Sequence, residues 1–339
     1  MRLDISDFLN LRRQLPVVDV RSEGEYLQGH IPKVHNIPVL NDAERHQVGI
    51  DYKQKGQAEA IRTGFRLVGP RLAGIIDESA ALGNEIIVHC WRGGMRSSNF
   101  CGFVEMARQK THQLAGGYKS YRNKVHESFK EPMNMIVVGG CTGSGKSDIL
   151  RKLADYGEQV IDLEHLAHHK GSVFGGLMMP AQPTTEQFEN NLFEVLAGFD
   201  RSKRIWVEDE SHGVGRIFLP DAFWQQMNVH PVIEVMLSKE ARIKRLVSEY
   251  GPADRDAFLA AMSRITKKLG GQHFNAAKEK LLSGDMAATI DILLTYYDKA
   301  YLMGLEKKSS RLASRFTWNG NDLDAIAREL IHSQAILHK

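Results

Sequence analysis

Cysteine is scarce in this chain: Cys90, Cys101 and Cys141 are the only three among 339 residues. So small and odd a set excludes a disulfide framework and a cysteine-built zinc cluster. Each cysteine is therefore either core filler or chemistry. Long apolar runs are also missing, which argues against a membrane-spanning helix and against a membrane as partner. The opening stretch MRLDISDFLNLRRQLP mixes charges with its apolar residues and lacks the continuous apolar centre of a signal peptide. A cytoplasmic location is the expectation. Neither sign of charge dominates, since 44 basic against 41 acidic residues leave a formal charge of +3. Nucleic-acid contact would have to come from local patches, either Lys119, Arg122 and Lys124 or Lys307, Lys308 and Arg311. Taken singly, each patch reads better as a solvated helix face. Internal repeats and low-complexity segments are absent.

A chain of this length suits two domains. PVVDVR and EIIVHC read as buried strands, each followed by a helical pattern, which predicts an α/β domain with a mostly parallel sheet over residues 1–126. The polar stretch HESFKEPMN then leads to a new strand, MIVVGG, and further strands are expected at QVIDLE, RIWVEDES and PVIEVML. This second α/β domain is placed at residues 133–339. From Ala253 onward the apolar spacing predicts a largely helical region.

Two loops carry chemistry. In EIIVHC-WRGGMRS, Cys90 closes a strand and Ser97 opens a helix, with Trp91, Arg92, Gly93, Gly94 and Arg96 between them. Inward-pointing amides and a helix N-terminus favour both a bound anion and a thiolate, and Arg92 and Arg96 add guanidinium groups suited to a tetrahedral oxyanion. Cys90 is thus the candidate nucleophile, whereas Cys101 lies in an apolar helical pattern and reads as core. Arg96 follows Cys90 by six residues, the HC-x5-RS spacing of cysteine-dependent phosphatases, and so wide a loop fits a phosphate-sized group.

The second loop is GGCTGSGKS, which contains G-x-x-x-x-G-K-S between a strand and a helix. Gly140, Gly143, Ser144 and Gly145 turn backbone amides toward a diphosphate, Lys146 reaches its terminal oxygens, and Ser147 is placed to hold a Mg²⁺ ion. Cys141 sits at a variable position of this loop. An acidic partner is expected from Glu208, Asp209 or Glu210 of RIWVEDES, with Ser211 beside them and Asp162 at the end of QVIDLE. Arg242 and Arg245, spaced i and i+3, are candidate lid arginines over a phosphate. His165, His168 and His169 offer no obvious third ligand, so no metal is assigned to them.

The stretch DVRSEGEYLQGHIPKVHNIP, which includes Asp19 and Arg21, resembles the start of rhodanese domains. HCWRGGMRS, LAGGYKSYR, GGCTGSGKS, VIDLEHLAHHKGSVFG and ESHGVGRIFLP together resemble the tRNA 2-selenouridine synthase family. The resemblance implies a rhodanese-like α/β domain followed by a P-loop NTPase-like parallel α/β domain with a helical C-terminal region. It also implies a transferase that turns wobble 2-thiouridine of tRNA into 2-selenouridine. Selenophosphate would be the selenium donor, and an S-geranyl intermediate would be made from geranyl diphosphate. No tightly bound cofactor is expected. On that reading the P-loop holds the prenyl diphosphate and the Cys90 loop handles selenophosphate. Cys90 would either carry selenium or help to expel the geranyl thiol. Trp91 is a candidate platform for the anticodon base, and Tyr118, Tyr121 and Arg122 are candidates to line its approach. Two other readings are a cysteine phosphatase with an appended nucleotide-binding domain and a P-loop kinase.

Overall fold

The computed structural model describes residues 1–333. The chain forms two compact units, one of Met1–Ser128 with Glu189–Glu194, the other of Phe129–Phe188 with Val195–Lys339. In the first unit, strands β1 (Arg2–Leu3), β2 (Val17–Asp19), β3 (His35–Asn36), β4 (Glu85–His89) and β5 (Lys110–Leu114) form one sheet. Its order is β1-β5-β4-β2-β3, with every pairing parallel. β4 occupies the middle and is covered on both faces, which is why EIIVH reads as a nearly continuous apolar run. Its Ile86 and Val88 pack with Val18, Phe100 and Val104 in the core of this unit.

The second unit repeats the plan. Strands β6 (Asn134–Gly139), β7 (Gln159–Ile161) and β8 (Arg204–Glu208) are followed by a short antiparallel pair, β9 (Gly213–Val214) and β10 (Ile217–Phe218), then by β11 (Val232–Met236) and β12 (Leu312–Thr317). The main sheet is parallel, in the order β12-β11-β6-β8-β7. Again the middle strand, β6, is buried along its length, and again the reactive loop leaves its carboxyl end. Ligands of open parallel sheets bind at that edge. The α/β architecture with a helical C-terminal region is as the sequence resemblance implies. None of the described helices is long and apolar enough to cross a membrane.

Besides the two-residue strands β1, β3, β9 and β10, two longer strands escape the periodicity argument. β5, KTHQL, is polar yet buried at four of its five positions, because Thr111, His112 and Gln113 find hydrogen-bond partners inside the unit. β12, LASRFT, lies in the region expected to be helical. It is an edge strand, half exposed, so Ser314 and Arg315 interrupt the apolar pattern, and Arg315 Nε donates to Glu234 Oε2 of β11 at 2.8 Å. The rest of that region is helical as expected. Helices Arg255–Ser263, Gly271–Leu282 and Met286–Lys307 gather Phe258, Met262, Leu281 and Leu293 around Phe174 and Tyr250. Phe258 is 1% exposed and stacks on Phe174 with ring centroids 4.6 Å apart. Phe258→Ala should cost about 3–5 kcal/mol of the second unit's stability, read as a lowered urea midpoint for that unit with the first unit's transition unmoved.

Candidate functional site

Cys90 follows β4, and the helix Met95–Met106 begins five residues later behind Gly94. The Cys90 side chain is buried and its sulfur is ringed by donors. The Gly94 amide donates to Sγ at 3.3 Å, and Ser97 Oγ lies 3.2 Å away. Burial pushes the thiol up, yet the Ser97 hydroxyl and the amides of Ser97, Gly94 and Arg92 more than offset this and leave it below the ordinary thiol range. Burial dominates at Cys101 and Cys141, and both are pushed up. Of the three cysteines, Cys90 is therefore the one most readily ionised. Gln113 of β5 donates to Ser97 Oγ at 2.6 Å and to Gly93 O at 3.1 Å, so a strand that looked unremarkable in sequence orients the hydroxyl that faces the sulfur.

The loop is also held from behind. The helix Gly117–Ser128 points its first amides at it, with Tyr118 N donating to Cys90 O at 2.8 Å and Lys119 N to Trp91 O at 3.0 Å. The two backbones approach so closely that a Cβ at Gly117, whose φ is +59°, would lie 2.3 Å from Cys90 O. That contact is the physical reason for the glycines of LAGGYKSYR. Asp19 and Arg21 complete the brace, because Arg21 donates to Asp19 Oδ2 at 2.6 Å and Gly29 O at 2.8 Å and lays its guanidinium 3.9 Å from the Tyr118 ring centroid. His89 is fully buried beside them, and burial lowers its pKa against the opposing pull of Asp19.

The arginines divide. Arg96 makes a two-point pair with Glu25, at 2.5 and 3.1 Å, and Glu25 in turn caps the helix Glu23–Gln28. Arg92 is exposed. Trp91 follows Cys90, is 38% exposed, and packs its ring against Tyr118 at 5.6 Å between centroids. Tyr118 and Tyr121 do not line an approach for RNA, because both face the core of the unit and are fully buried. Tyr121 instead donates to Glu194 Oε1 at 2.9 Å. Arg122 is bound to Asn190 and Glu189. In the other basic patch, Lys308 pairs with Asp209 at 2.5 Å and Arg311 donates to the carbonyls of Met227 and His230. Arg122, Lys308 and Arg311 thus carry structural bonds.

In the second unit the loop after β6 runs into the helix Lys146–Asp155. Gly140, Gly143 and Gly145 have φ of +155°, +80° and +87°. A Cβ at Gly145 would meet Trp318 at 2.5 Å, and Trp318 Nε1 donates to Ser144 O at 2.9 Å, so the turn is braced from the far end of the chain. Lys146 Nζ folds back on Gly140 O at 3.0 Å. Ser147 Oγ lies 2.8 Å from Glu208 Oε1 and 3.1 Å from Glu164 Oε2, which identifies Glu208 as the acidic residue facing the loop. Glu164, which the sequence reading passed over, joins it, and the Glu164 amide donates to Glu208 Oε2 at 2.9 Å. Burial, then the charge of Glu164, pushes Glu208 well up. The same two causes, in the same order, push Glu210 up to about 8.

Asp162 caps the short helix Leu163–Ala167 by accepting from His165 N at 2.8 Å. Ser211 is exposed, and its hydroxyl donates to Gly213 O at 2.7 Å. Arg242 braces the loop: it pairs with both Asp298 oxygens at 2.7 Å and donates to Thr142 O at 3.2 Å. Arg245 pairs with Asp148 and lines the open cavity of about 600 Å³ above the loop. Tyr297 and Tyr301 also line that cavity, and their hydroxyls find no partner among the described residues. His168 and His169 sit near backbone turns, and no group of three or more metal-binding side chains occurs among the described residues.

A hydrogen-bonded cysteine loop on one parallel sheet and a GxxxxGKS loop on another define a two-unit chain with a rhodanese-like part and a P-loop part. Residues 4–124 match the Rhodanese-like domain family, and residues 133–329 match the tRNA 2-selenouridine synthase AAA domain family. A protein of Sulfurovum sp. named tRNA 2-selenouridine synthase is 33% identical over 96% of this chain and 98% of its own length. Proteins of the same name from Hydrogenovibrio crunogenus (33%, over 88% and 92%) and Cupriavidus pinatubonensis (34%, over 93% and 96%) are similar to it as well. The chain belongs to the tRNA 2-selenouridine synthase family and is an enzyme of it.

Two measurements probe these loops. Limited alkylation with iodoacetamide near pH 7, read by peptide mass spectrometry, should label Cys90 ahead of Cys101 and Cys141, and Ser97→Ala should slow it by withdrawing a donor from the thiolate. For Glu210, raised from 4.5 in the unfolded chain to about 8 in the fold, the folded state holds the extra proton between those values. Stability should therefore fall as pH rises from about 5 to about 8. Thermal melts of Glu210→Gln should be flatter across that window.

Proposed function

We propose that this enzyme converts 2-thiouridine at the wobble position of tRNA into 2-selenouridine, with selenophosphate as selenium donor, by way of an S-geranyl intermediate made from geranyl diphosphate. The observation that carries the reading is one chain of this family bearing both a donor-ringed thiolate at Cys90 and a diphosphate cradle at Lys146. The relatives' name supplies tRNA and selenium, and the sequence resemblance supplies the two co-substrates.

At the P-loop, the amides of residues 143–147 and Lys146 meet the diphosphate of the prenyl donor. As the thiouridine sulfur displaces it, negative charge grows on the departing pyrophosphate, and these fixed donors bind that charge more tightly than the ground state. Ser147 and Glu208 fit a Mg²⁺ ion, which takes one or two protein oxygens and fills the rest of its shell with phosphate and water. Bound there, the ion would supply further neutralisation of the pyrophosphate. Crowded carboxylates that hold protons by themselves are the electrostatic counterpart of such a site.

At the Cys90 loop, alkylated sulfur is a far better leaving group than the thiocarbonyl it came from. The Cys90 thiolate adds to C2 of the base, the C2–S bond breaks, and geranyl thiol leaves with one proton. Selenium from selenophosphate then displaces Cys90 at C2, and water takes up the phosphoryl group as phosphate. Selenium stays at the selenide level and phosphorus at the phosphate level, so no oxidant or reductant is needed. Loading selenium onto Cys90 as a persulfide-like adduct would not balance in this way, and the nucleophilic role is preferred. Trp91 is the surface on which the base stacks.

Nucleoside mass spectrometry of tRNA treated with the protein and both co-substrates tests the assignment. Cys90→Ser should yield S-geranyl-2-thiouridine but no selenouridine, whereas Lys146→Ala should lower geranylation by ~10²-fold or more. Selenouridine formed by Cys90→Ser at the normal rate overturns the role of the thiolate.

A further inference from the structure

Within the first unit, an apolar cavity of about 180 Å³ lies against the helix that begins behind the Cys90 loop. The helices Asp42–Lys55 and Gln57–Val68 build one wall through Val48, Ala60 and Gly64, while Met95, Arg96 and Phe103 of the helix Met95–Met106 build the other. Tyr52, Phe65 and Met95 stand at its rim, 59%, 52% and 49% exposed. Large apolar side chains held at the surface around an apolar hollow mark a ligand site rather than a packing flaw. The hollow shares Met95 and Arg96 with the first turn of the helix whose N-terminal loop holds the thiolate. Neither the phosphate chemistry of that loop nor the base stacked on Trp91 needs an apolar chamber.

We propose that this cavity seats the prenyl chain of the S-alkylated base while its C2 meets Cys90. The proposal rests on the reaction given above and adds where that substrate is gripped. A cavity of about 150 Å³ takes up a six-carbon ring, so this one encloses roughly seven carbons by the same measure, with the remainder of a ten-carbon chain lying among Tyr52, Phe65 and Met95. A chain anchored here before the C2–S bond breaks keeps the departing thiol's apolar half out of water. It also refuses unalkylated thiouridine, which has nothing to place in the hollow. Gly64 leaves room for the chain: a Cβ added there would meet only Val48 Cγ2, at 4.0 Å, and its helical backbone is open to any residue.

The test uses the full-length protein, selenophosphate and anticodon stem-loops bearing S-methyl-, S-dimethylallyl- or S-geranyl-2-thiouridine. In the unaltered protein, KM should fall by ~10-fold or more from the methyl to the geranyl substrate. Gly64→Leu fills the hollow and should flatten that series, raising KM for the geranyl substrate by ~10-fold or more. Its kcat at saturation and its transfer of geranyl to thiouridine should be kept, and Gly64→Ala should stay near the unaltered protein. A folded Gly64→Leu with unaltered chain-length dependence overturns the cavity and leaves the reaction standing. Should that variant not fold, the series on the unaltered protein decides, and a KM indifferent to chain length overturns the proposal. Failure of the unaltered protein to convert any S-alkylated substrate removes the reaction and this site with it.

Discussion

The hydrogen bonds that the loop amides and Ser97 direct at the Cys90 sulfur are what the first unit is organised around. A buried thiolate is tolerated only where donors replace the water it has lost. Each neighbouring element serves that end. β4 delivers the sulfur, Gln113 turns the Ser97 hydroxyl, and the helix Gly117–Ser128 holds the Cys90 and Trp91 carbonyls so that the loop amides face inward. The Asp19–Arg21 pair then fixes Tyr118, the residue whose amide makes the closest of those backbone contacts.

The second unit meets the opposite problem. Its buried carboxylates, Glu164, Glu208 and Glu210, crowd one another with fewer compensating donors, and their acidities move up rather than down. One unit thus eases the ionisation of a thiol, and the other holds carboxyls that keep their protons. Both groups stand at the carboxyl edge of a parallel sheet, Cys90 after β4 and Glu208 at the end of β8, where helix N-termini and strand ends converge.

Much of this was readable before any fold was known. The middle strands are continuous apolar runs because both faces are covered, and the two glycine-bearing loops announce themselves because only glycine permits such close backbone approach. The side-chain partners were not readable. Gln113 and Glu164 lie 23 and 18 residues from Cys90 and Lys146 in the chain, and nothing in the local pattern says which side chains they meet. Tyr118 and Tyr121 looked like RNA contacts and proved to be core, since three residues apart on a helix they share a face and that face is inward. Arg242 looked like a lid and proved to be a brace, held by Asp298 from a helix far along the chain.

By itself, then, the sequence determined the two-domain α/β plan, the two reactive loops and the family, all of which depend on neighbours in the chain. The tertiary structure decided which of three cysteines ionises most readily, which acidic residue faces the P-loop, and that an apolar hollow adjoins the helix after the Cys90 loop. Those properties depend on burial and on donors brought together from distant segments, and a charge or a cavity has no signature along a single strand of residues.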